Sequence, residues 1–332
     1  MILAALAACA APVTLPPAPR TLAGEAFGTT WSVSWRGAPN EQTAGHAISA
    51  VLDTIDLRMS SWRADSELSA VRSGPGPVPV SEETFAVVDA ALDLAAATGG
   101  AFDPTVEPLM ALWGYRGQQV TAAPTDDEVQ AVRAAVGWTR VALTRTPEGP
   151  HIDAGGTALD LSAIAKGHAV DRVSAALSAL GATDHLVEIG GEVRAHGTGP
   201  HGEWRLGVDT PDPAVAPGTA LVSVVALRNA AMATSGNYRS VYEVDGAQVV
   251  HTMDPRTGRP HVSAVASATV LAPDCRTADG WATALMVLGP DAGLAAIEDR
   301  PELDALLLLR DGDGWIERRT SGLDAHIPSA RR

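Results

Sequence analysis

Lysine occurs once in the 332 residues, at Lys166. It lies in Asp160–Asp171 (DLSAIAKGHAVD), which places a carboxylate, the ammonium and Gly167 at the start of an expected helix. Backbone N–H groups at a helix N-terminus favour an anion, and a lysine adds a point charge. The plainer alternative is a solvated helix entrance capped by Asp160. Three later segments carry further chemistry. Met232–Arg239 (MATSGNYR) combines hydroxyls with Gly236, so a backbone can approach a ligand closely, although such clusters are also ordinary turns. His251–Pro260 (HTMDPRTGRP) puts a histidine at a strand end ahead of a turn bearing Asp254, Arg256 and Arg259. That is a base with guanidiniums able to pair with phosphate; a lone histidine is more often simply hydrogen-bonded. Asp279 and Thr283 are four residues apart and share a helix face, and their oxygens suit a hard cation such as Mg2+. Pairs of that kind also arise by chance.

These residues need elements to hold them. Thr29–Arg36 alternates with Trp31, Val33 and Trp35 on one face and reads as a strand. Ile48, Val51, Leu52, Ile55 and Met59 have helical spacing within Glu41–Met59. Ser81 can cap a helix that runs to Ala97 and is closed by Gly99 and Gly100. Thr125 and Glu128 form a capping box for a helix expected to end at Gly137, and Ile164–Leu180 reads as a third, ending at Gly181. Strands are expected at His185–Ile189, Trp204–Val208, Leu221–Leu227, Val241–Val244 and Val249–Thr252, with Asp245 and Gly246 as the hairpin turn between the last two. A strand over Val262–Leu271, a helix over Thr277–Leu288 and a strand over Leu303–Arg310, turning back through Asp311–Gly314, complete the pattern. Helices and antiparallel strands mix without βαβ alternation, which predicts an α+β fold.

The chain carries 24 Lys and Arg against 39 Asp and Glu, a net charge of −15. That balance argues against nucleic acid as a partner, which needs a basic footprint. With 46% hydrophobic and 19% charged residues the chain can bury a sizeable core. No apolar run is long enough to span a membrane as a helix. Two cysteines, Cys9 and Cys275, exclude a disulfide framework and a cysteine-rich zinc site. The opening residues end in Leu6-Ala7-Ala8-Cys9, which resembles the lipobox of bacterial lipoproteins. The resemblance implies a signal peptide over residues 1–8, a lipid on Cys9, a Pro-rich tether to residue 20, and a single domain over 21–325. Location in the cell envelope follows, anchored to a membrane and facing the periplasm or another extracytoplasmic side. A signal peptide begins with basic residues and none precedes this apolar run, so the true start is expected upstream. With Cys9 acylated, Cys275 has no partner and is expected to be buried and inert.

Taken in order, the segments resemble the ApbE family of FAD:protein FMN transferases. The resemblance runs from Gly24 onward: Gly28–Trp31, Met59–Leu68, Gly100–Val106, Leu112–Tyr115, Asp160–Asp171, Leu186–Arg194, Ala233–Arg239, His251–Pro260 and Ala278–Gly289. It implies a compact fold related to the T-fold, with FAD in a central cleft. It also implies Mg2+-dependent transfer of FMN from FAD to a threonine hydroxyl of a partner flavoprotein, with release of AMP. The partners implied are membrane electron-transfer subunits of the Nqr and Rnf kind.

Carried over by position, the resemblance assigns flavin contacts to Phe27, Trp62, Ala101, Phe102 and Asp103. It assigns the adenosine and pyrophosphate side to Asp160 and Lys166, with Thr252 along the dinucleotide. It gives the metal to the Ala163 carbonyl, Asp279 and Thr283, and makes His251 the base. Phe27 stands where the family usually has Met, and Ala282 where some members have a second metal-binding Asp. His168 replaces a common Tyr and is a second candidate base, ranked below His251 because it would lie inside a helix. Two other readings remain open: a Mg2+-dependent FAD pyrophosphatase, with water as the nucleophile, and a non-enzymatic FAD-binding lipoprotein. Binding alone needs neither a base nor a metal pair, which disfavours the latter.

Overall fold

The structure is a computed structural model and describes residues 18–328, apart from 118, 119, 201, 217, 239, 240, 246 and 313. Cys9, the signal peptide and most of the tether lie outside the described residues, as do Arg239, Gly246 and Asp313. The chain opens with a hairpin of β1 (Arg20–Ala26) and β2 (Thr29–Gly37), so Arg20 of the expected tether already pairs with Trp35. It continues through α1 (Glu41–Met59), α2 (Glu67–Ser73), β3 (Val78–Pro79), α3 (Glu82–Ala97), α4 (Glu107–Leu112), α5 (Asp126–Arg133), β4 (Ala142–Thr146) and β5 (Gly149–Asp153). Next come α6 (Ala165–Ala179), β6 (Ala182–Ile189), β7 (Glu192–His196), β8 (Trp204–Asp209), β9 (Leu221–Leu227) and β10 (Ala230–Gly236). The last part holds β11 (Val241–Val244), β12 (Ala247–Val250), β13 (Met253–Asp254), β14 (Arg259–Pro260), β15 (Val265–Ala272), α7 (Cys275–Leu288), α8 (Pro290–Glu298), β16 (Asp304–Asp311) and β17 (Gly314–Arg319).

Eight strands form one antiparallel sheet in the order β1-β2-β6-β7-β10-β15-β16-β17. The α+β expectation therefore holds. α6 lies over β6 and β7, α7 lies over β10 and β15, and α1 packs on α6. The main core fills this layer, with Trp35, Ile48, Val170, Leu177, Val187, Val270 and Leu285 all essentially inaccessible. The opposite face of the sheet is covered by the β8–β9 hairpin and Leu323, through Trp204, Val225, Leu227, Leu306 and Leu308. A third cluster, Leu109, Trp113, Val129, Val244, Val249 and Met253, joins α4 and α5 to the β11–β12 hairpin and braces the segment after it. No helix among the described residues is long and apolar enough to cross a membrane.

Most helix limits follow local chemistry. The Ser81 side chain caps α3, and the Thr125–Glu128 capping box opens α5. α5 stops at Arg133 rather than Gly137, because a turn and a short 3-10 segment, Trp138–Arg140, occupy the remainder. Met232–Arg239 departs most from a turn: residues to Gly236 form β10, a central strand between β7 and β15. Its Ala, Thr and Ser side chains are small enough for α7 to pack directly over it. The strand expected from Val262 begins at Val265, and Val262 itself is 64% exposed.

Candidate active site

A cleft of about 1000 Å3 lies between the β1–β2 turn, the inner face of α1, the loop 60–63 and the start of α6. A two-residue loop, Phe27-Gly28, makes the first wall, with φ of 54° and 74°. Positive φ at both positions suits the twist of a tight hairpin, but Phe is a poor choice there, since a Cβ crowds the following carbonyl. The strained position holds the Phe27 ring at the cleft. Ser60 Oγ accepts from the amides of Trp62 and Arg63 at 3.2 and 3.3 Å, shaping the loop that carries Trp62 to the rim, 68% exposed. The Arg116 guanidinium lies 5.1 Å from the Trp62 ring and is ion-paired to buried Asp160.

Asp160 does not cap α6. Its Oδ1 accepts from Ser162 N at 2.8 Å, and the N-cap residue Ile164 offers no side-chain bond. The Asp160 amide donates to Pro104 O at 2.7 Å, which joins the 101–105 loop to this corner. Ala101, Phe102 and Asp103 are buried behind the cleft and do not line it. Asp103 braces the loop, accepting from Thr105 N and Oγ1 at 2.8 and 2.6 Å and from Trp138 N at 3.1 Å. Burial pushes its carboxyl above the ordinary value despite those bonds.

Lys166 lines the cleft where α6 begins, and its side chain is 29% exposed. Its Nζ donates to Glu192 Oε1 at 2.9 Å and stands 3.6 Å from Asp279 Oδ1. Burial disfavours the ammonium, but Asp279 and Glu192 together hold it above its ordinary pKa. The Glu192 carboxyl is pushed up as well, chiefly by burial, which Lys166 offsets only in part. Asp279 Oδ2 accepts from Gly167 N at 2.9 Å, stitching α7 to the first turn of α6. Thr283, one turn further along α7, has its Oγ1 3.2 Å from Ser235 Oγ of β10. Two residues on, Asn237 accepts from Thr252 Oγ1 at 2.5 Å and donates to His261 O at 3.3 Å. His261 N donates to Thr252 O at 2.8 Å. β10 thus ties the Thr283 end of α7 to half-buried His251, immediately after β12.

The two guanidiniums expected to meet phosphate are already engaged. Arg256 donates from Nε and Nη2 to the Asp254 oxygens, each at 2.9 Å, and Arg259 is paired with Asp126. A turn this tight brings Arg256 back onto Asp254 before it can reach a ligand. His168 lies inside α6 with Nε2 3.0 Å from Glu83 Oε1, and Cys275 is free and buried, its thiol pushed up by that burial. Arg116, Glu192, Ser235 and Asn237 received no role in the sequence reading. All but Arg116 lie within quoted motifs, and Arg116 directly follows one.

The donor chemistry fits a hard cation: the Asp279 carboxylate, the Thr283 hydroxyl and the Ala163 carbonyl are all oxygens. Ala163 lies just before α6, whose first turn Asp279 holds through Gly167 N. Among the described residues, buried Glu192 Oε2 has no hydrogen-bond partner, as expected where a polar ligand completes the site. Among the described residues no three His, Cys, Asp or Glu side chains form a metal-holding group, so main-chain and hydroxyl oxygens must contribute.

The ApbE family model matches residues 27–307. The chain belongs to the ApbE family. The FAD:protein FMN transferase of Vibrio cholerae is 36% identical over 310 residues, which covers 90% of both chains. That of Escherichia coli (strain K12) is 32% identical over 302 residues, covering 89% of this chain and 85% of its own. The crystal structure of Pseudomonas stutzeri flavinyl transferase ApbE in its apo form superposes with a TM-score of 0.82 at 33% identity, over 94% of this chain and 98% of that one. The ApbE protein of Thermotoga maritima gives 0.83 at 29% identity, over 93% and 99%. The family match spans every candidate site residue of this ApbE-family chain, from Phe27 to Thr283.

Proposed function

We infer that this protein is an FAD:protein FMN transferase, which moves FMN from FAD to a threonine hydroxyl of a partner flavoprotein and releases AMP. The observation that carries this reading is Lys166, the only lysine, held between Glu192 and Asp279 in the lining of a cleft walled by Phe27 and Trp62. Aromatic walls suit a flavin ring, and a fixed ammonium suits a pyrophosphate. The curated relatives, whose name specifies FAD as donor and a protein as acceptor, support it along nearly the whole chain.

Transfer at phosphorus is mostly positioning and charge stabilisation. Trp62, with Arg116 against its ring, orients the isoalloxazine, and Lys166 orients the pyrophosphate. His251 takes the proton of the acceptor hydroxyl as that oxygen bonds to the phosphorus of the FMN phosphate. The bond from this phosphorus to the AMP oxygen breaks, and AMP leaves with its electron pair. The Ala163 carbonyl, Asp279 and Thr283 would hold Mg2+, which would supply charge neutralisation for the pyrophosphate. The acceptors are proposed to be subunits of the Nqr and Rnf kind. A lipid on Cys9 is proposed to anchor the protein to a membrane on its extracytoplasmic side.

The test incubates residues 21–332 with FAD, MgCl2 and a soluble acceptor domain, and reads the acceptor's intact mass together with AMP. The expected result is an acceptor heavier by one FMN, dependent on Mg2+. His251→Ala should bind FAD yet transfer at least about 100-fold more slowly. AMP with free FMN and an unmodified acceptor would indicate hydrolysis. Bound FAD with no AMP would reduce the protein to a flavin carrier.

A further inference from the structure

We propose that Glu192 is a positioning residue that holds Lys166 away from Asp279 and so keeps the Asp279 carboxylate open to a divalent cation. The inference rests on the reading of Asp279 as a metal ligand and deepens it. Lys166 faces two carboxylates but is hydrogen-bonded to only one, at 2.9 Å from Glu192 Oε1; Asp279 Oδ1 stands off at 3.6 Å. The other oxygen of Asp279 is fixed by Gly167 N, so Oδ1 is the one left to choose between ammonium and metal. A lysine side chain is a compact charge on a flexible four-carbon stem. With Glu192 neutralised, a shift of under about 1 Å brings Nζ into hydrogen-bond distance of Asp279 and occupies that oxygen.

Glu192 is itself built for restraint. It begins β7 directly after the Gly190–Gly191 turn, whose φ angles of 65° and 103° only glycine adopts readily. Its side chain is 5% exposed, and buried Oε2 has no hydrogen-bond partner among the described residues. A carboxylate kept for stability alone would have both oxygens satisfied, since an unfilled buried one is destabilising. Placing it beside the sole lysine, with one oxygen unfilled, is explained by the partition it enforces between the two carboxylates.

The experiment titrates MgCl2 into the FAD-free protein and follows heat of binding and melting temperature, with FAD affinity read separately by flavin fluorescence. Glu192→Gln should raise the Mg2+ concentration for half-saturation at least tenfold. Adding Lys166→Met to that variant should return the midpoint to within about threefold of wild type while FAD affinity stays low, because the competing ammonium is gone. A purely structural role for Glu192 would not give that rescue. Should Glu192→Gln fail to fold, the same two readings are taken on Glu192→Asp, whose carboxylate falls one methylene short. An unchanged midpoint in the single variant, or no rescue in the double, overturns the proposal alone. A wild-type protein that does not respond to Mg2+ removes the metal reading of Asp279 and this inference with it.

Discussion

At Gly167 the backbones of α6 and α7 approach closely, and Gly167→Ala tests how the site is held. A Cβ there would lie 2.3 Å from the Cys275 carbonyl oxygen, 2.7 Å from its carbon and 2.8 Å from Asp279 Cβ. Relief requires the two helices to part by about 1 Å, since carbon and oxygen rest no closer than roughly 3.3 Å. The start of α7 cannot yield easily, because Asp171 accepts from Cys275 N and Arg276 N at 2.9 Å each and Asp274 caps the helix. Overpacking of this kind destabilises by about 1–3 kcal/mol. Stretching the bond from Gly167 N to the Asp279 side chain removes about 1.5–3 kcal/mol more, the range for a bond to a carboxylate. Alanine returns about 1 kcal/mol of helix propensity. The expected net loss is about 1.5–5 kcal/mol, a fall in Tm of roughly 2–7 °C for a chain of this size. Thermal and urea denaturation read the stability, and an MgCl2 titration reads the displaced Asp279. Gly280→Ala is the control, since its Cβ meets the flexible end of Leu94 instead of backbone. A Gly167→Ala protein that melts at or above wild type would refute the reasoning.

Further outcomes can be stated together. Phe27→Asn should relieve the positive φ and raise stability by about 1 kcal/mol while weakening FAD binding; unchanged FAD affinity would remove Phe27 from the flavin site. His185 is inaccessible, with Ser174 Oγ at 2.7 Å and the His196 ring stacked at 4.7 Å. Burial first, then His196 and Arg194, lower its pKa from 6.5 to about 4, against a weaker opposite pull from Asp184. Between those values the unfolded chain binds the extra proton, so His185 should lower stability by about 3 kcal/mol as pH falls from 6.5 to 4. His185→Gln should flatten that part of the curve, and urea denaturation at pH 7 and pH 4.5 compares the two. Cys9→Ser should move the protein from the membrane to the soluble fraction with catalysis intact; retention in the membrane would mean the anchor lies elsewhere.

The periodic helices were readable because local chemistry decides them. α1 spans the apolar stripe of Ile48, Leu52, Ile55 and Met59, and Ser81 starts α3 where a cap should. β10 was not readable as a central strand, because Ala-Thr-Ser-Gly is turn-like in isolation and becomes strand only where α7 needs small residues beneath it. Within the site, motifs marked Lys166 and Asp279, but what each touches is tertiary. Glu192 reaches Lys166 across 26 residues and Gly167 reaches Asp279 across 112. The guanidiniums of Arg256 and Arg259 looked available for the converse reason, since residue type does not reveal that Asp254 and Asp126 already hold them.

The order of strands in the sheet also sets a schedule for synthesis. Fully buried Trp35 of β2 pairs with His185 of β6, 150 residues later, and β7 then waits for β10. At translation rates of about 5–20 residues per second, the edge of β2 that pairs with β6 stays open for roughly 8–30 s after it is made. A nascent chain in that condition is a client for holding chaperones and vulnerable to pairing with its neighbours on a polysome. The same delay suits the proposed export, because a sheet that has not closed can still be threaded through a membrane pore.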